Sequence, residues 1–166
     1  RYAPEKLSAG YRGDRLQVDL GDFYASIGRG IALRIRKTNE LSEDTTLLGG
    51  KARTQLGPIE LTALAGLSNP TNTDGVTEKT LEDPNDLITA ADVSWRPLDW
   101  LVWSAHAVWM KIDPLERNNE ARNRIQMSDL PSWALVAGSR LELPALVDWM
   151  DAYAEFDPRM GEIAEP

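Results

Sequence analysis

Apolar and polar residues alternate one by one along most of this chain. Leu7, Ala9 and Tyr11 share one parity and Lys6, Ser8, Gly10 and Arg12 the other; Arg15–Leu20 then sets Leu16, Val18 and Leu20 together. Such a period of two predicts β-strands with one face of each kind. The same reading places Ile31, Leu33 and Ile35 opposite Ala32, Arg34 and Arg36 in a strand over Ile31–Thr38. Strands over Thr46–Leu56 and Ile59–Leu67 follow, with Leu48, Gly50, Ala52, Thr54 and Leu56 beside Ile59, Leu61, Ala63, Ala65 and Leu67 on the apolar side. Later come Leu87, Thr89, Ala91, Val93 and Trp95, then Leu101, Trp103, Ala105, Ala107 and Trp109, then Trp133, Leu135, Ala137, Ser139, Leu141 and Leu143. In the last strand Met150, Ala152, Ala154 and Phe156 are assigned to the apolar face, and Trp149, Asp151, Tyr153 and Glu155 to the polar one. Comparable stretches with helical recurrence are lacking.

The connections between strands alternate as well. Gly13-Asp14, Gly57-Pro58, Pro97-Leu98-Asp99 and Pro144-Ala145 read as tight turns, whereas 39–45, 68–86 and 112–131 read as long polar loops. An antiparallel up-and-down sheet with two unlike ends fits this order, and a transmembrane β-barrel is the commonest structure of that kind. About nine strands are expected over residues 1–166, treated as one segment of a larger barrel, because single-chain bacterial barrels use even numbers. The opening Arg1-Tyr2-Ala3-Pro4 already reads as the approach to a strand, so the chain is taken as an excerpt with further strands on either side.

Strand length separates this reading from a soluble β-sandwich, the alternative architecture, which would make the chain a binding module. Trp100–Lys111 and Ser132–Leu143 each run for 12 residues. Soluble strands centre on about 5–6, and a tilted strand of roughly 9–11 crosses the hydrocarbon layer. Charge in mid-strand points the same way, at Arg34, Arg36, Lys51, Arg53, Glu60, Asp92 and Arg140, with His106 on the same parity. These are the candidate pore-lining residues. Trp95, Trp100, Trp109 and Trp133 lie near strand ends, where an interfacial aromatic girdle belongs. Tight turns would then face the periplasm and long loops the exterior.

Composition narrows the partners. The net charge of −8 argues against nucleic acid, and the absence of cysteine removes disulfides and thiolate ligands. One histidine in the chain leaves no expected metal site, and no cofactor is expected. Ser104 and His106 would share a strand face, but the order is the reverse of that in outer-membrane lipid hydrolases and no acidic orienting group is evident, so catalysis is not expected. Asp74, Glu78, Glu82, Asp83 and Asp86 read as a solvated loop rather than a calcium site, lacking the ligand spacing. Arg34, Arg36, Lys51 and Arg53, set against Glu60, Asp92, Asp151 and Glu155, would either create a transverse field across a wide lumen or fill a narrow one with ion pairs.

One segment breaks the alternation. Between Leu20 and Gly30 stand three glycines and the adjacent aromatics Phe23 and Tyr24, which suggests a bulge or an inward excursion near a rim. Gly21-Asp22-Phe23-Tyr24, then Gly28-Arg29-Gly30 running into Ile31-Ala-Leu-Arg34, resembles a motif of an uncharacterised, porin-like family of Gram-negative outer-membrane β-barrels. Leu47–Arg53 and Ile59–Gly66 resemble the strand pair that follows it in that family, so the likeness covers about Arg15 to Asn69. The resemblance implies a bacterial outer-membrane location, the lipid bilayer as partner and passage of small solutes. It carries over no functional residue. Oligomeric state and solute stay open.

Overall fold

A computed structural model of the chain describes residues 6–38, 43–44, 46–68, 71–73, 80–82, 86–111, 132–147 and 150–161. The chain is all-β. Its first third contains β1 (Ser8–Arg12), β2 (Leu16–Phe23), β3 (Ala25–Ile27), β4 (Leu33–Ile35), β5 (Lys37–Thr38) and β6 (Glu43–Asp44). The middle contains β7 (Leu47–Leu56), β8 (Ile59–Ser68), β9 (Thr71–Thr73) and β10 (Thr80–Glu82). The remainder contains β11 (Leu87–Leu98), β12 (Leu101–Lys111), β13 (Trp133–Val147), β14 (Met150–Phe156) and β15 (Arg159–Gly161). One 3-10 turn at Gly28–Gly30 is the sole helical element among the described residues, and none of them forms a helix long and apolar enough to cross a membrane.

The large sheet is an antiparallel up-and-down meander in the order β1-β2-β7-β8-β11-β12-β13-β14, with β15 also on β13. Strands β14 and β15 continue one another, since Ser139 pairs with Phe156 and Val136 with Arg159 in one unbroken register. Pro158, which has no N–H to give, sits at the interruption and accepts from the Ala137 amide at 3.2 Å. Among the described residues neither β1 nor the β14–β15 edge has a further strand beside it, so the sheet is open.

Residues directly opposite in antiparallel strands project from the same face, and the register therefore sorts the whole surface. One ladder runs Arg53–Thr62–Asp92–His106–Gly138, and the next runs Glu60–Ser94–Ser104–Arg140–Glu155. The opposite face carries Tyr11, Leu20, Leu48, Val93, Trp103, Leu141 and Phe156, exposed by between 38% and 74%. The sheet is thus inverted relative to a soluble layer: its uncovered face is apolar, while its charged face is the sheltered one.

Of the four tight turns, Gly13-Asp14 and Gly57-Pro58 sit where the sequence places them and proline shifts the other two. Strand β11 runs through Pro97 to Leu98, with a register slip after Trp95, so that reversal falls on Asp99-Trp100. Strand β13 runs through Pro144 to Val147, and the β13–β14 register slips between Leu143 and Val147. A bulge tolerates a residue that cannot donate, so Pro144-Ala145 lies inside a strand and the reversal comes later. Trp149 and the loop residues 112–131 and 39–42 lie outside the described residues, as do Asp74, Glu78 and Asp83. Within the span 68–86, β9 and β10 form a short two-stranded ribbon.

The larger correction concerns Ile31–Thr38, which is not a strand of the large sheet. Strand β2 pairs directly with β7, Leu16 to Thr54 through Phe23 to Leu47. The chain between them folds as a separate hairpin, β3 on β4, followed by the ribbon β5–β6. A wall strand here would have put two long connections in succession at opposite ends of the sheet. With 24–46 as one connection, tight and long links alternate without exception through the described meander.

The hairpin β3–β4 lies on the charged face of the sheet, toward the end bearing the long connections. Its Ala25 and Ile27 join Phe23, Leu47, Leu64, Ile88, Ala90 and Val108 in the buried apolar cluster, with Leu33 and Ile35 packed against it. The core of this protein is the contact between an inward-folded hairpin and the inner surface of its own sheet.

Candidate functional site

At the hairpin's tip the backbone turns through three successive residues of positive φ: Gly28 at 61°, Arg29 at 49° and Gly30 at 89°. The Ile31 amide donates to the Gly28 carbonyl at 2.8 Å and closes the turn. Arg29 is the one non-glycine residue described with positive φ, a conformation that costs an L-residue about 1–2 kcal/mol. Its guanidinium lies 4.4 Å from the Tyr153 ring centroid and 3.8 Å from Glu142 Oε1, contacts that offset the strain.

Gly28 lies directly over the side chains of β12 and β14. A Cβ there would fall 2.6 Å from Glu155 Oε1 and 2.8 Å from His106 Nε2. Glycine is required at this point by both torsion and space. The rest of the motif anchors the hairpin's root. Asp22 accepts from the Leu7 amide at 2.8 Å and from the Thr46 hydroxyl at 3.1 Å. Phe23 is buried with the Lys51 ammonium 5.8 Å from its ring, and Lys51 Nζ donates to the Tyr24 carbonyl at 3.2 Å.

Between the hairpin and the wall lies a cavity of about 350 Å³, bordered by Ser26, Gly28 and Arg29 on one side and by Lys51, Arg53, Glu60, Asp92 and Arg140 on the other. Its charges are largely matched. Lys51 is 3.2 Å from Asp19, Arg53 is 2.5 Å from Glu60, and Arg140 Nε is 2.5 Å from Glu142; Arg12 also pairs with Asp19. Lys51 and Arg53 thus pair with carboxylates on neighbouring strands, while Arg140 pairs with Glu142 along its own strand.

Five of the eight sequence-assigned lumenal residues share this cavity, and His106 lies on the same face behind Gly28. Arg34 and Arg36 do not join them. Both belong to the inserted hairpin and border a second hollow of about 460 Å³ with Tyr24, Ser26 and Arg29. They therefore do not stand beside Lys51 and Arg53 on neighbouring wall strands.

The four tryptophans divide between the two ends of the apolar face. Trp95 stands opposite Trp103 near the tight turns, with Trp100 in the turn itself; Trp109 and Trp133 lie at the other end, opposite Leu135 and Lys111. Trp103 and Trp109 are six residues apart on β12, about 20 Å along the strand. Trp103, which the sequence reading left out of the girdle, donates its indole N–H to Ser139 Oγ at 3.0 Å.

Ser104 and His106 both face inward and are buried. The Ser104 hydroxyl lies 2.8 Å from that of Ser94 and 3.3 Å from an Arg140 nitrogen, so its hydrogen bonds run along its own ladder. His106 Nε2 bonds Asp157 Oδ1 at 2.8 Å, with Glu155 Oε1 at 3.9 Å and Asp92 Oδ2 4.0 Å from Nδ1. Sequence reasoning missed Asp157 altogether. It lies 51 residues from His106 and just past the predicted last strand, and only the unbroken register of β14 and β15 carries it to the inner face opposite Gly138.

The chain matches no protein-family model, no curated protein and no solved structure.

Proposed function

We propose that this chain forms part of the wall of a bacterial outer-membrane β-barrel of porin type, in which the 24–36 hairpin narrows a passive path for small solutes. The observation that carries the reading is the inversion of the sheet. A continuous apolar face, exposed on every wall strand from Tyr11 on β1 to Phe156 on β14, accompanies a charged and ion-paired opposite face. Soluble monomers rarely expose contiguous apolar patches beyond about 300–600 Å². Against lipid that face needs no second sheet, while the charged one stays hydrated in a lumen.

The open edges fit the same reading. An unpaired peptide group in hydrocarbon costs several kcal/mol, so β1 and the β14–β15 edge call for strand pairing in a closed wall. The hairpin, seated on the inner face by its apolar side, leaves the 350 Å³ cavity as the hydrated space beside it. That volume suits small hydrophilic solutes rather than folded polypeptides.

Reconstitution into planar bilayers tests the function. The reading expects stable ion conductance that rises when residues 25–35 are replaced by a short glycine-serine link. A protein that inserts but never conducts would overturn the transport role, and one that stays soluble without detergent would overturn the membrane role too.

A further inference from the structure

The geometry points to a binding site for a divalent transition-metal cation, of the zinc class, formed by His106 Nε2, Glu155 and Asp157 beneath Gly28. This goes beyond the transport reading and does not depend on it. One ligand atom from each of the three residues lies within 4.8 Å of the others. Nε2 is 3.9 Å from the Glu155 oxygen and 2.8 Å from the Asp157 oxygen. A zinc ion holds nitrogen and carboxylate donors at about 2.0–2.2 Å, which sets neighbouring donors about 3–3.5 Å apart, so small side-chain rotations suffice.

A second observation is independent of that spacing. The His106 side chain is 0% exposed, that of Glu155 2% and that of Asp157 5%. With the carboxylates ionised, neither Glu155 oxygen has a hydrogen-bond partner, nor does the second oxygen of Asp157 or Nδ1 of His106. Buried polar groups are normally satisfied, and a desolvated carboxylate without a donor is among the costliest groups to leave so.

Charge makes the same demand. Asp92, Glu155 and Asp157 surround a single imidazole, and the nearby Arg140 is already held by Glu142 at 2.5 Å. A dication centred on the three donors satisfies the orphaned oxygens and removes the excess negative charge together. The ring's other nitrogen faces Asp92, the side from which outer carboxylates orient metal-bound imidazoles. Glycine at 28 and at 138 keeps β-carbons out of the space: one at 138 would fall 2.7 Å from Nε2 and closer still to Asp157. Nitrogen with two carboxylates favours zinc, iron or manganese over magnesium or calcium, which take oxygen ligands alone. Three protein ligands leave a fourth position for solvent or a solute group.

Equilibrium dialysis against ZnCl2 tests this on the chelator-stripped chain folded in detergent micelles, with metal counted by mass spectrometry. The expected result is one zinc per chain. Glu155→Gln and Asp157→Asn, close in shape to the originals, should each weaken binding by more than the 10–100-fold that loss of an outer partner costs. Glu60→Gln, outside the cluster, should leave it unchanged. Circular dichroism confirms that each variant is folded, and the readout needs no conductance. Absence of stoichiometric zinc on the folded wild type would overturn the site and leave a proton shared between the carboxylates. Equal binding by wild type and both cluster variants would overturn it as well, as adventitious surface metal.

Discussion

Replacing Gly28 by alanine tests the seating of the inward hairpin, and Gly30→Ala supplies the control. Both positions have positive φ, 61° and 89°, so each substitution incurs the left-handed penalty of about 1–2 kcal/mol. They differ in what the new methyl meets. At Gly30 the nearest atom is Arg34 Cδ at 3.3 Å, the middle of a flexible and exposed side chain. At Gly28 it is Glu155 Oε1 at 2.6 Å with His106 Nε2 at 2.8 Å, both on wall strands and both buried. Forcing a methyl into a packed space costs about 1–3 kcal/mol more. Gly30→Ala should therefore lose about 1–2 kcal/mol and Gly28→Ala about 2–5 kcal/mol. Urea unfolding in detergent micelles, followed by tryptophan fluorescence, reads both. If Gly28→Ala proves no more costly than Gly30→Ala, the hairpin tip does not rest on the His106 cluster, and the account of the lumen collapses with it.

Three further substitutions probe the wall and the tip. Ala91→Arg, in the middle of β11 on the apolar face, should cost about 2–4 kcal/mol in lipid but under about 0.5 kcal/mol if that face meets water, by the same unfolding assay in vesicles. Lys51→Gln combined with Arg53→Gln removes two cations, leaving Glu60 unpaired and Asp19 held by Arg12 alone, so reversal potentials across planar bilayers should move toward cation selectivity; unchanged potentials mean that the cavity is not on the ion path. Arg29→Gly removes both the strained torsion and the Tyr153 and Glu142 contacts, terms of similar size, so stability should change by less than about 1 kcal/mol. Arg29→Ala keeps the strain and loses the contacts, and its unfolding midpoint should fall further than that of Arg29→Gly.

The sheet was legible because its physics is local. Alternation fixes which side chains share a face, and the observed register pairs Ala52 with Ala63, Ala63 with Ala91 and Ala91 with Ala107, all on the predicted apolar side. Arg34 and Arg36 show where this fails. Ile31–Thr38 has the period of a strand, yet its Leu33 and Ile35 pack against the cluster on the sheet's charged face rather than on the apolar one, and periodicity alone does not say which surface a strand buries. The alternation of tight and long links held the missing information, since a wall strand there would break it. The His106 cluster was illegible for a different reason. Its members come from separate strands, and Asp157 enters only through the register across Pro158, a long-range property absent from any local pattern.

The central claim is that the apolar face of this sheet meets hydrocarbon. The most direct measurement is quenching of Trp103, left as the single tryptophan, by lipids brominated along their acyl chains after refolding into vesicles. Trp103 lies on that face, 42% exposed. The account predicts blue-shifted emission and strong quenching by the brominated lipid. Emission at the wavelength of a hydrated indole, unquenched, with the chain left in the supernatant after the vesicles are pelleted, would contradict it.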